Sequence, residues 1–312
     1  MRRAERTDRA QRSAGHWLGR RQPWLTAVSS LLFFGASAAL SAQPAAPREQ
    51  RPATRSPAAI PPQTAPATTP ATCARPVYLT FDTGHMGVAP LIADVLSRHQ
   101  VHATFFVANE RTQPVGSRPA GTSLDDHWAL WWKAIAHAGH DAGSHTWDHL
   151  IWQRDTASGF EFKPTAGPQA GQRITLTAAQ YCAELSRSAQ RYQAMTGQPV
   201  RAIFRAPGGK TSPRLLAAAQ SCGWRHVPWT TPAGFLGDEL PSDRYPNERL
   251  LKQALRDIRP GDILLAHLGI WSRQEPWAPA VLEPLITGLK AKGLCFATLR
   301  EHPAYRDAGP AP

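Results

Sequence analysis

The sequence feature that most constrains the fold is a repeated alternation of strand-like and helix-like segments, which begins at Val77. Residues 77–81 form a short β-type run, residues 90–96 have helical spacing, and residues 101–107 return to a strand pattern. A strand, a helix and a strand within about 30 residues are typical of a parallel crossover unit. Further segments of the two kinds follow at 139–144, 179–195, 200–204, 213–220, 226–229, 248–258, 263–266, 282–291 and 294–299. This repetition predicts an α/β fold, either a parallel barrel or an open parallel sheet.

The first 42 residues have the order of a secretory signal, in which basic, apolar and small residues follow one another. Seven arginines lie within residues 1–24, and the apolar run from Leu25 to Leu40 has 16 residues. A membrane helix needs roughly 20. We predict a signal peptide at 1–42, with an uncleaved N-terminal anchor as the alternative. The protein is then exported to the periplasm, the cell envelope or the extracellular space, and it contacts a membrane only if the anchor is retained.

Residues 43–75 are dominated by Pro, Ala and Thr, and Ile60 is their only large aliphatic residue. Such a segment buries too little apolar surface to offset the loss of chain entropy. It predicts a disordered linker, followed by a folded domain at 76–305 and a flexible tail at 306–312.

The distribution of charge argues against a nucleic-acid-binding protein. The formal net charge is +12, but residues 1–75 hold 11 of the 35 basic residues and only 3 of the 23 acidic ones. The remaining 24 basic and 20 acidic residues leave the rest of the chain close to neutral. Since a nucleic-acid-binding domain carries a basic patch or stripe, we expect no nucleic-acid partner. The protein is taken to be a monomer.

Export also bears on the four cysteines, which are Cys73, Cys182, Cys222 and Cys295. In an oxidising compartment they can form two disulfides in any of three connectivities. Their spacing matches no zinc knuckle, and free thiols are the alternative that the sequence leaves open.

Ionisable residues follow several predicted strands at the point where each strand ends. In chain order they are Asp82, His145, His149, Arg205 and His267. In a parallel barrel the C-terminal ends of the strands meet on one face. We therefore expect these side chains, which are distant in sequence, to surround one pocket.

These side chains are suited to the hydrolysis of an acyl group. His145 and His149 are four residues apart, a spacing that on a helical turn lets two imidazoles share a metal ion. A metal-bound water has a pKa of about 7, so Asp82 can serve as its general base and His267 as a general acid. Arg205 can hold a carboxylate through paired hydrogen bonds, and the Ala-Pro-Gly-Gly after it forms a rigid turn whose N–H groups suit an oxyanion.

Five segments, taken together, resemble the motifs of one known family. They are Thr-Phe-Asp-Thr-Gly at 80–84, Ala-Thr-Phe-Phe-Val at 103–107, the segment 138–149 ending in His-Thr-Trp-Asp-His, Arg-Ala-Pro-Gly-Gly at 205–209 and Leu-Ala-His at 265–267. In order and spacing they are similar to those of the polysaccharide deacetylases, the chitooligosaccharide deacetylase homology family. The resemblance covers nearly all of residues 77–299. It implies a distorted (β/α)7 barrel and a metal-dependent hydrolase that removes N-acetyl, or sometimes O-acetyl, groups from an amino-sugar polymer.

The resemblance also implies a divalent metal, which is zinc in the first instance, with cobalt, nickel or manganese as alternatives. Asp82 is the implied base, His267 the acid and Arg205 the residue that orients the base. The implied metal ligands are His145 and His149. The implied substrate contacts are the backbone N–H of Gly208 as an oxyanion donor, Leu265 as a wall of the acetyl pocket, Pro207 and Trp229.

Two positions depart from the family pattern. The family usually has Thr-Phe-Asp-Asp-Gly, and its second aspartate completes an Asp-His-His metal site, but this chain has Thr83 there. A neutral hydroxyl is a poor zinc ligand, so we expect His85 to be the third ligand. Asp148 lies in a suitable loop, and a two-histidine site completed by water, or loss of the metal, also stays open. The usual aspartate motif after the fifth strand is not evident, and either Asp238 or Asp243 could reach inward.

Three functions remain open on this basis. The sequence favours an exported deacetylase whose partner is an acetylated polysaccharide or oligosaccharide, such as peptidoglycan or a secreted polymer. An amidase acting on a small non-sugar amide would use the same pocket, since a fold does not fix a substrate. The third is a catalytically inactive, carbohydrate-binding scaffold, which Thr83 favours and the presence of Asp82, Arg205 and His267 opposes.

Overall fold

The computed structural model describes residues 73–312, so the predicted signal peptide or anchor at 1–42 and residues 43–72 of the predicted linker lie outside the described residues. This part of the chain forms twelve β-strands and six α-helices. The strands are β1 (Pro76–Asp82), β2 (Thr104–Val107), β3 (Arg111–Thr112), β4 (Gly121–Thr122), β5 (Asp141–Ser144), β6 (Leu150–Asp155), β7 (Phe160–Pro164), β8 (Ile174–Leu176), β9 (Ile203–Phe204), β10 (Arg225–His226), β11 (Ile263–His267) and β12 (Cys295–Phe296). The helices are α1 (Ala89–Arg98), α2 (Ala129–His137), α3 (Ala178–Thr196), α4 (Pro213–Ser221), α5 (Asn247–Asp257) and α6 (Leu282–Ala291). Between residues 73 and 312, no helix combines the length and the apolar character needed to cross a membrane.

A seven-stranded parallel sheet forms the centre of the fold. Its strand order is β10-β9-β5-β2-β1-β11, and β12 pairs with the first residues of β1. The strands thus follow one another in chain order from β1 to β10, and β11 returns beside β1. This is a parallel half-barrel with helices packed around it, which confirms the predicted (β/α)7-type fold.

Five predicted helices begin and end within two residues of the observed ones, whereas several strands are shorter than predicted. The helical spacing of residues 124–135 predicted a sixth helix, and α2 begins later than this, at Ala129. Helix α3 shows why its limits could be predicted. Thr177 and Gln180 form a capping box at its start, and Gly197 ends it in a left-handed conformation with φ of 74°. The capping box is an ordinary start signal for a helix, and the left-handed glycine is an ordinary stop signal.

A cluster of buried aromatic side chains supports the middle of the sheet. Trp131 and Trp132 pack edge-on against Phe105 of β2, with ring centroids 6.3 and 6.0 Å away. Phe105 in turn stacks on Phe81 of β1 at 5.5 Å. Large aromatic side chains dominate the energetics of a core. The cluster therefore holds the last residues of β1 and β2, which precede the candidate site, in a fixed position.

A three-stranded antiparallel sheet, formed by β6, β7 and β8, interrupts the alternation of strands and helices directly after His149. This insertion is not evident in the sequence, because charged residues and glycines obscure the alternation of apolar residues there. Phe160 and Phe162 of β7 are buried, and Phe162 stacks on Tyr181 of α3 at 5.2 Å. The insertion is thus anchored to the core beside the third strand end.

The last residues of the chain pair with the segment that leads into β9. The backbone N–H of Ala202 donates to the carbonyl of Gly309 at 2.8 Å, and Arg201 and Pro310 form an antiparallel bridge. Ala308 is buried. The prediction of a flexible tail at 306–312 is therefore wrong, because backbone hydrogen bonds and burial hold this segment in place.

The four cysteines form two disulfides, Cys73–Cys295 and Cys182–Cys222. The first joins the residues before β1 to β12, and the second joins α3 to the end of α4. This selects one of the three connectivities that the sequence left open, and the alternative of free thiols is wrong.

We expect the double substitution Cys182→Ala and Cys222→Ala to lower the free energy of unfolding by about 2–4 kcal/mol, because the bridge restricts the unfolded chain. Urea denaturation of the oxidised wild type and the variant measures the difference. The matched control is the same comparison in dithiothreitol, where both proteins also lose the Cys73–Cys295 bridge, and the difference should then nearly disappear. Equal midpoints, with the wild-type bridge shown by mass spectrometry to be intact, would contradict this expectation.

Candidate active site

Asp82, the last residue of β1, lies buried between an arginine and a histidine. Its Oδ1 accepts a hydrogen bond from Nη1 of Arg205 at 2.8 Å, and its Oδ2 lies 3.4 Å from Nε2 of His145. Burial alone would raise the pKa of Asp82, but the charges of Arg205, His145 and His267 outweigh it and hold that pKa below its ordinary value. Asp82 is therefore ionised at neutral pH.

Arg205 follows β9, and its side chain is completely buried. Its Nη1 also donates to Oγ1 of Thr80 at 2.8 Å, its Nε donates to the carbonyl of Val227 at 3.3 Å, and its guanidinium lies 4.3 Å from the ring centre of Phe106. Charge-assisted hydrogen bonds of this kind fix both partners. The predicted pairing of Arg205 with Asp82 is thus present.

His145 and His149 present one free nitrogen each. Nδ1 of His145 lies 2.9 Å from the carbonyl of Arg205, and Nδ1 of His149 lies 2.5 Å from Oγ1 of Thr165. The carbonyl accepts, so His145 carries its proton on Nδ1 and Nε2 keeps its lone pair. Burial lowers the pKa of His145 to about 4, which keeps the imidazole neutral. The centres of the two imidazole rings are 4.8 Å apart.

The turn that joins the two imidazoles differs from the predicted one. Residues 145–149 are not helical, and both Thr146 and His149 have positive φ, at 62° and 50°. Such values are uncommon for residues other than glycine. Oγ1 of Thr146 accepts a hydrogen bond from the N–H of Leu150 at 2.8 Å, which closes the turn. The pairing of His145 and His149 was predicted correctly, but a tight left-handed turn, not a helix, brings them together.

Glu110, three residues after β2, also lies at this site, although it is not among the residues predicted from the sequence. Its Oε2 accepts hydrogen bonds from Oγ1 of Thr83 at 2.5 Å and from the N–H of Gly84 at 2.6 Å. Its Oε1 lies 3.9 Å from Nε2 of His149. Burial would raise the pKa of Glu110, but the two imidazoles and the two hydrogen bonds outweigh it and lower that pKa. The signal that could have found it is its place just after a strand end.

His267, the last residue of β11, pairs with a carboxylate that the sequence left undecided. Nδ1 of His267 lies 3.1 Å from Oδ1 of Asp238, and the N–H of His267 donates to Oδ2 of Asp238 at 2.6 Å. Burial would lower the pKa of His267, but Asp238, Asp82 and Glu239 outweigh it and raise that pKa to about 9. His267 is thus protonated at neutral pH. Asp243, the other candidate, is exposed.

We expect Asp238→Asn to lower the pKa of His267 from about 9 toward or below about 6.5, because the burial remains while the main carboxylate is lost. Since the folded-state pKa of His267 lies above the unfolded value, the pair stabilises the fold fully below about pH 6.5. This stabilisation disappears as the pH rises through about 9. NMR titration of the His267 ring measures the change, with the exposed Asp243→Asn as the control. A His267 pKa that stays near the wild-type value would contradict the expectation.

His85, the expected third metal ligand, lines a neighbouring cavity. Its Nδ1 accepts a hydrogen bond from the N–H of Gly87 at 2.9 Å, and its ring packs edge-on against Trp271 at 5.0 Å. The cavity has a volume of about 160 Å³, and its lining also includes Asp238 and His267. Glu110, not His85, therefore forms the contact with His149, and the role of His85 as a ligand stays a prediction.

The remaining predicted residues lie on β11 and after β9. Gly208 and Gly209 have φ of 63° and 65°, and a Cβ on Gly209 would lie 2.4 Å from the ring of Trp229, so the turn requires glycine. Pro207 is buried at the start of this turn. Leu265 is buried in β11, where it pairs with Thr80 of β1. Their roles as oxyanion donor, acetyl-pocket wall and substrate contacts stay predictions.

The donor set suits a divalent metal ion. No group of three or more His, Cys, Asp or Glu side chains within residues 73–312 is already gathered around a common point. Nevertheless, the Nε2 atoms of His145 and His149 each face a carboxylate oxygen, at 3.4 and 3.9 Å. Two donors about 2.1 Å from a tetrahedral zinc ion are about 3.4 Å apart. Both separations are therefore close to those of neighbouring ligands of one ion.

Comparison with known proteins identifies relatives of this chain. The family model described as polysaccharide deacetylase matches residues 69–227. A chitooligosaccharide deacetylase of Bradyrhizobium sp. is 30% identical over 196 residues, which cover 62% of this chain and 71% of the relative. The chitooligosaccharide deacetylase of Azorhizobium caulinodans is 26% identical over 235 residues, covering 72% and 92%.

Solved structures have the same fold. A family 4 acetyl xylan esterase from Clostridium thermocellum, solved with a cobalt ion, has a TM-score of 0.53 and 23% identity over 72% of this chain and 88% of the esterase. A CE4 family pseudoenzyme from Bacillus anthracis has a TM-score of 0.52 and 21% identity over 73% and 65%.

Proposed function

The chain belongs to the polysaccharide deacetylase family, and from this premise we propose that it is an exported, metal-dependent hydrolase acting on acetylated amino-sugar polymer. The bond cleaved is the C–N bond of an N-acetyl group, with an O-acetyl ester as the alternative. Several relatives are named for their substrates, as chitooligosaccharide deacetylases or as peptidoglycan deacetylases. These names support the substrate class, with peptidoglycan or a chitin-like oligosaccharide as the first choice.

The observation that carries the proposal is an ionised base and a protonated acid on one rim of the sheet. Asp82 and His267 are paired residues at the ends of the adjacent strands β1 and β11. The pKa of Asp82 is held low and that of His267 is raised to about 9, so both have the protonation state that the reaction requires. An inactive scaffold has no need for a carboxylate with a lowered pKa beside an imidazole with a raised pKa.

In the proposed reaction each residue has one step. A divalent ion at His145 and His149 would supply a Lewis acid for the acetyl carbonyl and the attacking water. Asp82 takes a proton from the water while the water oxygen forms a bond to the acetyl carbon. Arg205 keeps the Asp82 carboxylate oriented. The N–H of Gly208, in the turn after β9, is the proposed donor to the developing oxyanion. As the C–N bond breaks, Nε2 of His267 gives its proton to the leaving nitrogen, and acetate and a free amine result.

An exposed aromatic ring beside the site supports a carbohydrate substrate. The side chain of Trp271 is 65% exposed. Together with Glu110, Arg111 and Thr165 it lines an open depression of about 370 Å³. A flat apolar ring at the rim of a catalytic depression suits stacking against a sugar face.

The two disulfides and the signal-like order of residues 1–42 together support export, because disulfides persist in oxidising compartments. The polypeptide is then a periplasmic, envelope-associated or secreted enzyme. The catalytic domain is proposed to lie at 76–305, after the linker.

The test is the release of acetate by the purified full-length protein from acetylated chitooligosaccharides and from peptidoglycan fragments. We expect release that a chelator abolishes and that added Zn²⁺ restores, with Asp82→Asn as the control against contaminating hydrolases. Release from small amides alone would favour the amidase. Thr83 keeps the inactive scaffold as a second candidate, and binding of these oligosaccharides without any acetate release would favour it.

A further inference from the structure

We propose that Glu110 is the carboxylate ligand of the metal site, acting in place of the aspartate that is absent at Thr83. The inference rests on the metal dependence proposed above. It assigns the ligand to a different strand end, β2, and it gives Thr83 the role of a positioning residue.

The backbone around Glu110 is fixed on both sides. The N–H of Asn109 donates to the carbonyl of Trp147 at 2.8 Å, which ties this segment to the turn that carries the two imidazoles. The N–H of Glu110 donates to Oγ of Ser123 at 3.0 Å, and the N–H of Ser123 donates to the carbonyl of Glu110 at 2.8 Å. The side chain of Glu110 is thus aimed at the site by the fold, and it does not reach there from a free loop.

The two oxygens of the Glu110 carboxylate have different surroundings. Oε2 receives both hydrogen bonds, from Thr83 and from the N–H of Gly84. Oε1 is the oxygen that faces Nε2 of His149, at 3.9 Å. In many metal sites one carboxylate oxygen binds the ion, and a hydrogen bond to the other oxygen orients the group. Thr83 therefore occupies the place of such an orienting partner, and its hydroxyl does not need to bind the ion itself.

The separation between Glu110 and His149 fits two ligands of one ion better than it fits a direct hydrogen bond. A distance of 3.9 Å is too long for a hydrogen bond between nitrogen and oxygen. It is near the spacing of two ligands of one zinc ion, about 3.4 Å. Nδ1 of His149 is already occupied by Thr165. A cation between Nε2 and Oε1 would satisfy both atoms.

The formal charges also balance. Glu110 has 17% of its side chain exposed, and His149 is its only ion-pair partner among the described residues. A buried carboxylate is costly unless it is paired or binds a metal. Asp82 is already paired with the buried Arg205, so Glu110 supplies one further negative charge, the same number that the aspartate absent at Thr83 would bring. Thr83 would otherwise leave the site one negative charge short.

The experiment measures metal binding by the full-length protein. Zn²⁺ content is determined by mass spectrometry after dialysis, and the Zn²⁺ dissociation constant is determined by competition with a chromophoric chelator. We expect about one ion per wild-type chain. We expect the isosteric change Glu110→Gln to weaken Zn²⁺ binding about 100-fold or more, because loss of a residue that only hydrogen-bonds to a metal ligand already weakens metal binding 10–100-fold. Glu248→Gln, the same change at an exposed position in the first turn of α5, is the matched control and should bind within about three-fold of wild type. Asp148→Asn and His85→Ala test the two competing candidate ligands.

Two further variants separate a ligand from a merely structural residue. Glu110→Gln combined with Thr83→Asp should recover Zn²⁺ binding, because the carboxylate then returns to β1. Thr83→Val should weaken binding about ten-fold while Thr83→Ser keeps it, because a hydroxyl positions the carboxylate. Circular dichroism and the apo-protein melting temperature monitor folding of each variant.

The outcomes are distinct. Wild-type affinity in folded Glu110→Gln overturns the assignment of Glu110, as does loss of binding in His85→Ala with Glu110→Gln unaffected. A wild-type protein that binds no Zn²⁺, Co²⁺, Ni²⁺ or Mn²⁺ overturns the proposed metal dependence itself, together with this inference.

Discussion

The substitution Asp82→Asn is expected to lower the rate of acetate release by at least about 100-fold, because it removes the general base and keeps the shape of the side chain. The amide cannot take a proton from the attacking water. Oδ1 can still accept a hydrogen bond from Arg205, so the site should retain its geometry. The rate is measured on acetylated chitooligosaccharide with saturating Zn²⁺. Activity within a few-fold of wild type would refute the role of Asp82.

The same substitution should also destabilise the protein. The side chain of Arg205 is fully buried and would keep its charge without a carboxylate partner. Breaking one side of a buried ion pair costs about 3 kcal/mol or more, so the free energy of unfolding should fall by about that amount. Asp94→Asn, at an exposed ion pair with Arg98, is the control and should change stability by less than about 0.5 kcal/mol.

The pH dependence of this stability difference has a definite sign. The pKa of Asp82 is lowered in the folded state, so its stabilising contribution is complete above the unfolded-state value of about 3.9. It is lost as the pH falls through the lower folded-state pKa. The stabilities of wild type and Asp82→Asn should therefore differ by a constant amount between neutral pH and about pH 4, and converge below it. Convergence already near neutral pH would show that Asp82 is not held ionised by Arg205.

The substitution His267→Ala should lower the rate of amide hydrolysis by at least about 100-fold, because the leaving nitrogen then lacks its proton donor. An activated ester such as p-nitrophenyl acetate releases a stable anion and needs no such proton. We therefore expect a loss of less than about ten-fold with this ester. The comparison of the two substrates in one variant separates acid catalysis from damage to the pocket.

The control for His267→Ala is His137→Ala, at an exposed position near the end of α2. It should leave both rates at the wild-type level. Equal losses on amide and ester in His267→Ala would contradict the assignment of His267 as the acid.

Much of the site could be predicted because its residues follow strands. A parallel sheet brings the ends of its strands to one rim whatever the length of the connections, so Asp82 and His267 became neighbours on β1 and β11. Arg205 joined them for the same reason. These predictions needed only the order of the segments and the residue that comes after each.

The rest depended on contacts that no local pattern records. Glu110 lies three residues beyond β2, and its direction is set by Ser123 and the turn at Trp147. Asp238 reaches His267 from an irregular loop. The insertion formed by β6, β7 and β8 packs through Phe162 on Tyr181, a contact between segments that each look unremarkable alone. Long-range packing fixes all three features, so one sequence without its fold could not show them.

The disulfide between Cys73 and Cys295 has a mechanical consequence. The bridge joins the chain just before β1 to the strand β12, which pairs with the first residues of β1. Tension applied through the preceding polypeptide reaches two neighbouring strands at once. The first residues of β1 are therefore held to β12 both by this covalent bridge and by backbone pairing. Unfolding that starts at residue 73 would thus have to displace β12 together with β1, the strand that carries Asp82.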